Sequence, residues 1–382
     1  MDVVVIGGGI VGLASAYELA RTGATVTVLE RATLGGGSTG RANGGIRAQF
    51  STPANVRLSL ESLSTWTRFE NRFGVDIDFR QNGYLLLASD PDSVASFERN
   101  VEMQQRLGVP SKLLTGDDIT RHSPGLHPDA AVAATFAPTD GYADPHAAVM
   151  GYVSAARDFG VEILTGTAVT AMTATTWGYL IETTDDFIEA PAVVNAAGPW
   201  SGRVAAMLDI DLPITPIRRQ LALLEPDRPL EVNHPYTFHV DQLVSYRPER
   251  HPDALVSGNF EGAASSITDP DRYRRDIDLE FAQGALERLD QLTTYFGPES
   301  RLKGGWAGLY TVTPDHNPII DAVRPGFVTA TGFSGHGFMH APATGRMVAN
   351  LIHDEPIDVV DPTPFTLDRF DNRSSAGEGI TP

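Results

Sequence analysis

The chain has 382 residues, 42% of them apolar, and carries a formal net charge of −19. It contains no cysteine, which excludes disulfides, thiolate nucleophiles, thiolate-bound metals and a thioether link to a cofactor. Lys112 and Lys303 are its only lysines. Such a surface repels nucleic acid and anionic lipid. It suits a halophilic cytoplasm, where screening removes self-repulsion; an arginine-favouring GC-rich genome is the alternative account of the missing lysines. No apolar run reaches membrane-spanning length and the first strand begins at residue 2, so the reading is a cytoplasmic protein with no membrane span and no leader peptide.

Val3-Val4-Val5-Ile6 runs into Gly7-Gly8-Gly9-Ile10-Val11-Gly12 and then an apolar helical stretch. This reads as a buried parallel strand, a tight turn and a helix lying close to the strand. Gly7, Gly9 and Gly12 fill G-x-G-x-x-G: one makes the turn, one admits a pyrophosphate, one lets the helix approach the sheet. The helix N-terminus, with Ile10 and Val11, then faces phosphate. A second strand, 25–29, delivers Glu30 to its carboxyl end, where a carboxylate accepts from a ribose hydroxyl. The stretch predicts a dinucleotide and leaves its identity open.

Further along, 31–40 is too glycine-rich for a helix, and a helix is expected from near Pro53 past Trp66 and Phe69. A strand at 83–88 and a helix at about 91–107 follow, with Pro91 suited to a first turn. Residues 112–137 read as loop-rich. The turn 140–145 opens a helix to about Phe159, and 161–164 is a short strand before a meander. Residues 192–200 are an apolar strand ending on small residues. Strand patterns recur at 220–224, 236–246 and 254–260, with a helix at 278–296. A last strand, 326–331, enters Gly332-Phe333-Ser334-Gly335-His336-Gly337-Phe338 and a helix at about 341–352. Alternation of βα with antiparallel β blocks predicts a cofactor domain in several pieces and a sheet-rich substrate domain made of the insertions.

Five motifs stand in order: the opening glycines with Glu30, Asp140-Gly141 with Asp144-Pro145, Asn195-Ala196-Ala197-Gly198, Thr313-Pro314-Asp315, and 332–338. Over roughly 1–355 the chain resembles the D-amino-acid oxidase family of FAD enzymes, especially its glycine oxidase and sarcosine oxidase β-subunit branch. The resemblance implies an α/β plus α+β architecture: a Rossmann-like FAD-binding domain from 1–78, 138–213 and 312–370, and an inserted antiparallel-sheet substrate domain from 79–137 and 214–311; the polar, glycine-containing residues 371–382 read as a flexible tail.

The resemblance also implies site residues. FAD is expected against Gly7, Gly9, Ile10, Val11, Gly12, Glu30, Arg31, Ser38, Thr39, Gly44, Gly45, Val169, Ala197, Gly198, Trp200, Gly332, Gly335, His336, Gly337, Phe338 and Met339. Arg47 matches a substrate-carboxylate anchor, for which a planar guanidinium is suited, and Tyr246 falls near a substrate-site tyrosine. The departures are informative. Gly308 stands where monomeric sarcosine oxidases carry the cysteine that links FAD, and no histidine lies between Gly35 and Arg47, so FAD is expected to be non-covalent. Met339 replaces a cationic second anchor and Phe260 a substrate-site histidine, and no lysine stands near Val256. Without a cation beside the flavin, charge developing on O₂ goes uncompensated, which favours a dehydrogenase. No metal is expected.

The function so implied is oxidation of the C–N bond of a small amino acid (sarcosine, glycine, proline or a D-amino acid) to an imine, by hydride transfer to flavin N5. The alternatives are an FAD subunit that needs a hetero-oligomeric partner or separate electron acceptor, and a 2-hydroxy-acid dehydrogenase on the same fold.

Overall fold

The computed structural model describes every residue except 262, 264, 267, 268, 372–376 and 380–382. Its first sheet has six strands in the order Ile319–Arg324, Phe327–Thr331, Ala192–Asn195, Asp2–Ile6 (β1), Thr25–Glu30 (β2) and Glu162–Thr165. All neighbours are parallel except the first pair. β1 shows why its sequence is continuously apolar. Val3 and Val5 face the helical layer made by Ile10–Arg21 (α1), Pro145–Asp158 and Gly337–His353. Val4 and Ile6 face Met172, Tyr179 and Ile181 of an antiparallel meander, 169–190. A strand buried on both faces cannot alternate with polar residues.

The second sheet has nine strands, and its spine is Thr215–Glu225, which pairs with Arg301–Val312 on one side and Ala254–Gly258 on the other. Its pairings are antiparallel as expected, save one: Tyr236–His239 runs parallel to Tyr84–Ala88. That pair joins the two insertions, and Tyr84–Ala88 is buried at all five positions, the burial that a parallel interior strand needs. Helix Leu279–Leu292 covers one face through Phe281, Ala285 and Leu289.

Other differences have local causes. The helix opening at Pro53 ends at Trp66, and Phe69–Phe73 forms a separate turn closed by Gly74 at φ +68°. Residues 112–137 contain two strands, Lys112–Thr115 and Ala133–Ala137, and the helix Asp117–His122. The 236–246 pattern is a hairpin broken at Leu243, φ +53°. The C-terminal helix begins at Gly337, ahead of its expected start, and contains Pro342. The tail is docked where it is described, contrary to the flexible expectation. Glu378 is 3% exposed and accepts from Ser51, Thr52 and Asn55 at the start of helix Pro53–Trp66, while its own N–H donates to the Asp315 carbonyl. The remainder of that expectation, 372–376 and 380–382, lies outside the described residues. Among the described residues no helix is long and apolar enough to cross a membrane.

Candidate active site

A cavity of ≈ 520 Å³ runs from the carboxyl ends of β1 and β2 to the second sheet. At its first end the main chain is set by contact distances. Gly7 has φ +115°, and a Cβ there would sit 2.4 Å from the Ala196 carbonyl oxygen. A Cβ on Gly12 would lie 2.0 Å from the Gly7 oxygen. At Gly9 the nearest chain atom would be Thr39 Oγ1, at 3.4 Å, so the open side faces the cavity.

Glu30 folds back over this turn and accepts from the N–H groups of Gly8 and Ala32, both at 2.8 Å. Its remaining lone pairs are available to a ribose. α1 has no side-chain cap within its own helix. Thr39 Oγ1 accepts from the Ile10 N–H at 3.2 Å, and Val11 lines the cavity. This is a fitting cradle for the pyrophosphate and ribose of FAD. Arg31 lies over the Trp200 ring, 5.0 Å from its centroid, and pairs with Asp271 at 2.8 Å. Asp271 also accepts from Trp200 Nε1 and Arg203, which closes the mouth with paired charges.

The loop after Arg31 is fastened to the second sheet. Ser38 donates to the Leu309 carbonyl at 2.6 Å, and Trp306 donates to the Arg41 carbonyl at 3.0 Å. Arg41 turns inward to the carbonyls of Gly36 and Gly37. The sheet end of the cavity is formed by Arg219, Leu221, Ser257, Gly308 and Tyr310, facing Gly332, Gly335, Gly337 and Phe338. Gly335, at φ +102°, lies against the Tyr310 ring, and a Cβ there would be 2.3 Å from Cε2.

Of the residues expected to hold FAD, Gly7, Gly9, Ile10, Val11, Glu30, Arg31, Ser38, Thr39, Val169, Ala197, Gly198, Trp200, Gly332, Gly335, Gly337 and Phe338 line this cavity. Gly12, Gly44, Gly45, His336 and Met339 do not. Gly12 serves helix packing, as above. Gly44 and Gly45 are needed because a Cβ would lie 2.0 Å from the Ala143 oxygen and the Tyr84 hydroxyl respectively. Met339 is in the helical core, its carbonyl accepting from Trp66.

His336 is fully buried behind the glycine segment, between the His316 carbonyl and His340 Nδ1, 3.2 Å away. Burial, aided by the Arg47 charge, pushes its pKa down to about 3. It is therefore a neutral packing group.

Neither of the two expected substrate residues, Arg47 and Tyr246, lines this cavity. Arg47 is 2% exposed and is not on the cavity wall. Its guanidinium lies 3.9 Å from the Phe50 ring centroid and donates to the Gln49 carbonyl. Burial lowers its pKa, opposed by Tyr84, Glu378 and Asp140. Asp140 in turn accepts from the Ala48 N–H at 2.9 Å and from Gln49, yet burial raises its pKa to about 6. Tyr246 is 1% exposed and packs among His234, Tyr295 and Phe296. Its strand turns that face to helix Leu279–Leu292, away from the cavity. Phe260 stacks on Phe281 in the same core.

The sequence reading missed Arg219. The available signal was the pair Arg218-Arg219 at the start of a strand, where neighbours take opposite faces; the expected strand began one residue too late to raise the question. Among the described residues no group of three histidine or acidic side chains could hold a metal.

The profile of the DAO family, FAD dependent oxidoreductase, matches residues 2–351. The chain belongs to this family. It is 30% identical to the bovine (Bos taurus) FAD-dependent oxidoreductase domain-containing protein 1, over 97% of this chain and 84% of that protein. It is 26% identical to glycine oxidase of Geobacillus kaustophilus, over 96% and 97%. Its fold superposes on the crystal structure of L-proline dehydrogenase from P. horikoshii with a TM-score of 0.88, at 32% identity and 98% coverage of both chains.

Proposed function

We propose that this protein oxidises the C–N bond of a small amino acid (sarcosine, glycine, proline or a D-amino acid) to an imine that water hydrolyses. The observation that carries the reading is one cavity with two unlike ends. A dinucleotide cradle at β1–α1 leads to a sheet floor bearing a guanidinium, a tyrosine and a leucine. Relatives named glycine oxidase and L-proline dehydrogenase support it. Bound FAD supplies the two-electron acceptor.

The chain's own contribution is binding, orientation and proton economy. Glu30 and the N-terminus of α1 hold the ribose and pyrophosphate. The Gly332–Phe338 segment ends at the N-terminus of helix Gly337–His353, whose dipole favours negative charge nearby. Among the described residues the cavity wall carries no histidine, and its only carboxylates are Glu30, held by two N–H groups, and Asp271, paired with arginines. With no base at hand, the substrate reacts as the neutral amine, so kcat/KM rises with pH towards the pKa of the substrate ammonium.

FAD is held non-covalently: among the described residues no histidine lines the wall, and the chain has no cysteine. Denaturation with acid then releases the flavin into the supernatant.

The deciding experiment is anaerobic bleaching of the oxidised flavin's visible band by sarcosine, glycine, L-proline and D-alanine, followed by air. Bleaching by one of them supports the reading, and slow recovery in air marks a dehydrogenase. No bleaching by any overturns it in favour of a 2-hydroxy acid or a partner-dependent subunit, which 2-hydroxyglutarate and a partner co-purification would separate.

A further inference from the structure

Arg218 and Arg219 are adjacent on the spine strand Thr215–Glu225, and strand parity gives them opposite fates. Arg218 points away from the cavity. It is 7% exposed, pairs with Asp278 at 2.5 Å, and donates to the Arg274 and Asp276 carbonyls. Every part of that guanidinium is used by the fold.

Arg219 pairs in register with Gly308, so the two residues share a face. That face is the cavity's, because a Cβ on Gly308 would point at the Arg41 side chain, 3.0 Å away. Leu221 and its partner Trp306 continue the same face. The Arg219 guanidinium lies 5.6 Å from the centroid of the Tyr310 ring. Among the described residues it has no carboxylate within ion-pair distance, and its Nε is buried with no hydrogen-bond partner.

A half-buried guanidinium is always charged, and leaving it desolvated and unpaired is costly. The other cavity arginines do not share this condition. Arg31 and Arg203 are paired with acids, Arg41 is spent on loop carbonyls, and Arg275 is exposed to solvent. Among the described residues, a chain of net charge −19 thus keeps on this wall a half-buried guanidinium with no acid partner and an unsatisfied Nε, away from the glycines that serve the pyrophosphate.

We propose that Arg219 is the substrate anchor, its guanidinium binding the carboxylate of the amino acid against the Tyr310 face. This rests on the amine-oxidoreductase reading for the identity of the substrate. It further requires that substrates carry a free carboxylate; esters, amides and simple amines bind poorly. A planar fork offers two parallel hydrogen bonds to a carboxylate, which an ammonium does not.

The test uses flavin-loaded full-length protein and its Arg219→Met and Arg219→Lys variants. Acetate, a carboxylate without an amine, is titrated while the flavin spectrum and the thermal midpoint are followed, and KM and kcat are measured with whichever amino acid bleaches the wild type. The expected result is that Arg219→Met retains flavin while the acetate Kd and the substrate KM rise roughly 10–100-fold, the loss of a charge-assisted pair. Added guanidinium restores part of the loss. KM for a carboxylate-free amine is unchanged. If the Met variant fails to fold, Arg219→Lys keeps the charge without the fork, and a rise of about tenfold in KM supports the same conclusion.

Unchanged acetate and substrate binding in either variant overturns the proposal. So does loss of flavin with KM intact, which would assign Arg219 to the cofactor. Acetate binding that disappears with Arg219 in a protein bleached by no amine upholds the anchor and removes only the amine reading.

Discussion

The two ends of the cavity are built on different principles. The dinucleotide end is main chain: Gly7, Gly9 and Gly12 act by lacking a Cβ, and the N-terminus of α1 by its N–H groups. All of it comes from one continuous stretch, closed by Glu30. The sheet end is side chain: Arg219, Tyr310, Leu221 and Ser257 come from three strands, and their direction depends on pairing register. A main-chain site tolerates variation in its side chains but not the addition of one carbon. A side-chain site tolerates backbone change but fails when one functional group is lost.

The largest effect expected from that contrast is at Gly7. Gly7→Ala forces a Cβ to within 2.4 Å of the Ala196 oxygen in a left-handed conformation, costing on the order of 3 kcal/mol or more. The purified variant should be flavin-free or insoluble; a fully loaded, wild-type-stable Gly7→Ala would break the main-chain account.

Arg47 comes next, and it separates a buried structural role from the substrate role. Arg47→Met removes a cation from beside Asp140 and Glu378, and breaking such buried charge partnerships costs about 3–5 kcal/mol. Thermal unfolding should shift down markedly, whereas KM measured well below that transition should change little. A large rise in KM at undiminished stability would return Arg47 to the site.

Asp140 offers a pH-resolved test of the same junction. Its folded pKa, about 6, lies above its ordinary 3.8. The folded state therefore favours the protonated acid, and this stabilisation is complete below about 4 and lost as pH rises through about 6. Relative to Asp140→Asn, the wild type should lose stability on the order of 3 kcal/mol between those limits. His336 has the opposite sign: its pKa is depressed to about 3, so its contribution is present above about 6.5 and lost on acidification below that. Parallel stability–pH curves for wild type and Asp140→Asn would refute the buried acid.

At Glu30, Glu30→Gln keeps the shape but weakens charge-assisted acceptance from Gly8 and Ala32 and from a ribose. FAD affinity by fluorescence titration should fall roughly 10–100-fold. The smallest change is expected from Tyr246→Phe, which removes a 3.4 Å contact to Ser123 and the hydroxyl's interactions with Thr237 and Thr293. KM and kcat should stay within about twofold and stability within about 1 kcal/mol; a selective rise in KM would put Tyr246 back at the substrate.

Most of the cofactor end could be read from the sequence because its signals are local. The β1 apolar run, the turn glycines and the acid at the end of β2 lie within the first 30 residues, and the strand–helix period supplies their geometry. Gly44, Gly45, His336 and Met339, expected beside FAD, lie off the cavity wall. Each neighbours an expected binding segment in sequence but packs within the fold, against Ala143, Tyr84, His340 and Trp66 respectively, contacts that local spacing does not encode.

What the sequence by itself determined was the family and its fold class, an α/β FAD-binding domain with a sheet-rich substrate domain, because both rest on short-range spacing and on motif order. Only the tertiary structure decided which of Arg218 and Arg219 faces the cavity, that Tyr246 faces a helix, and that Glu378 returns to cap the helix at Pro53. The parity of Arg218 and Arg219 is settled by pairing with a strand about 90 residues away. Glu378 meets Ser51 across a separation of 327 residues. Side-chain direction on a strand reverses with a one-residue slip, so it is a property of long-range register that no local pattern encodes.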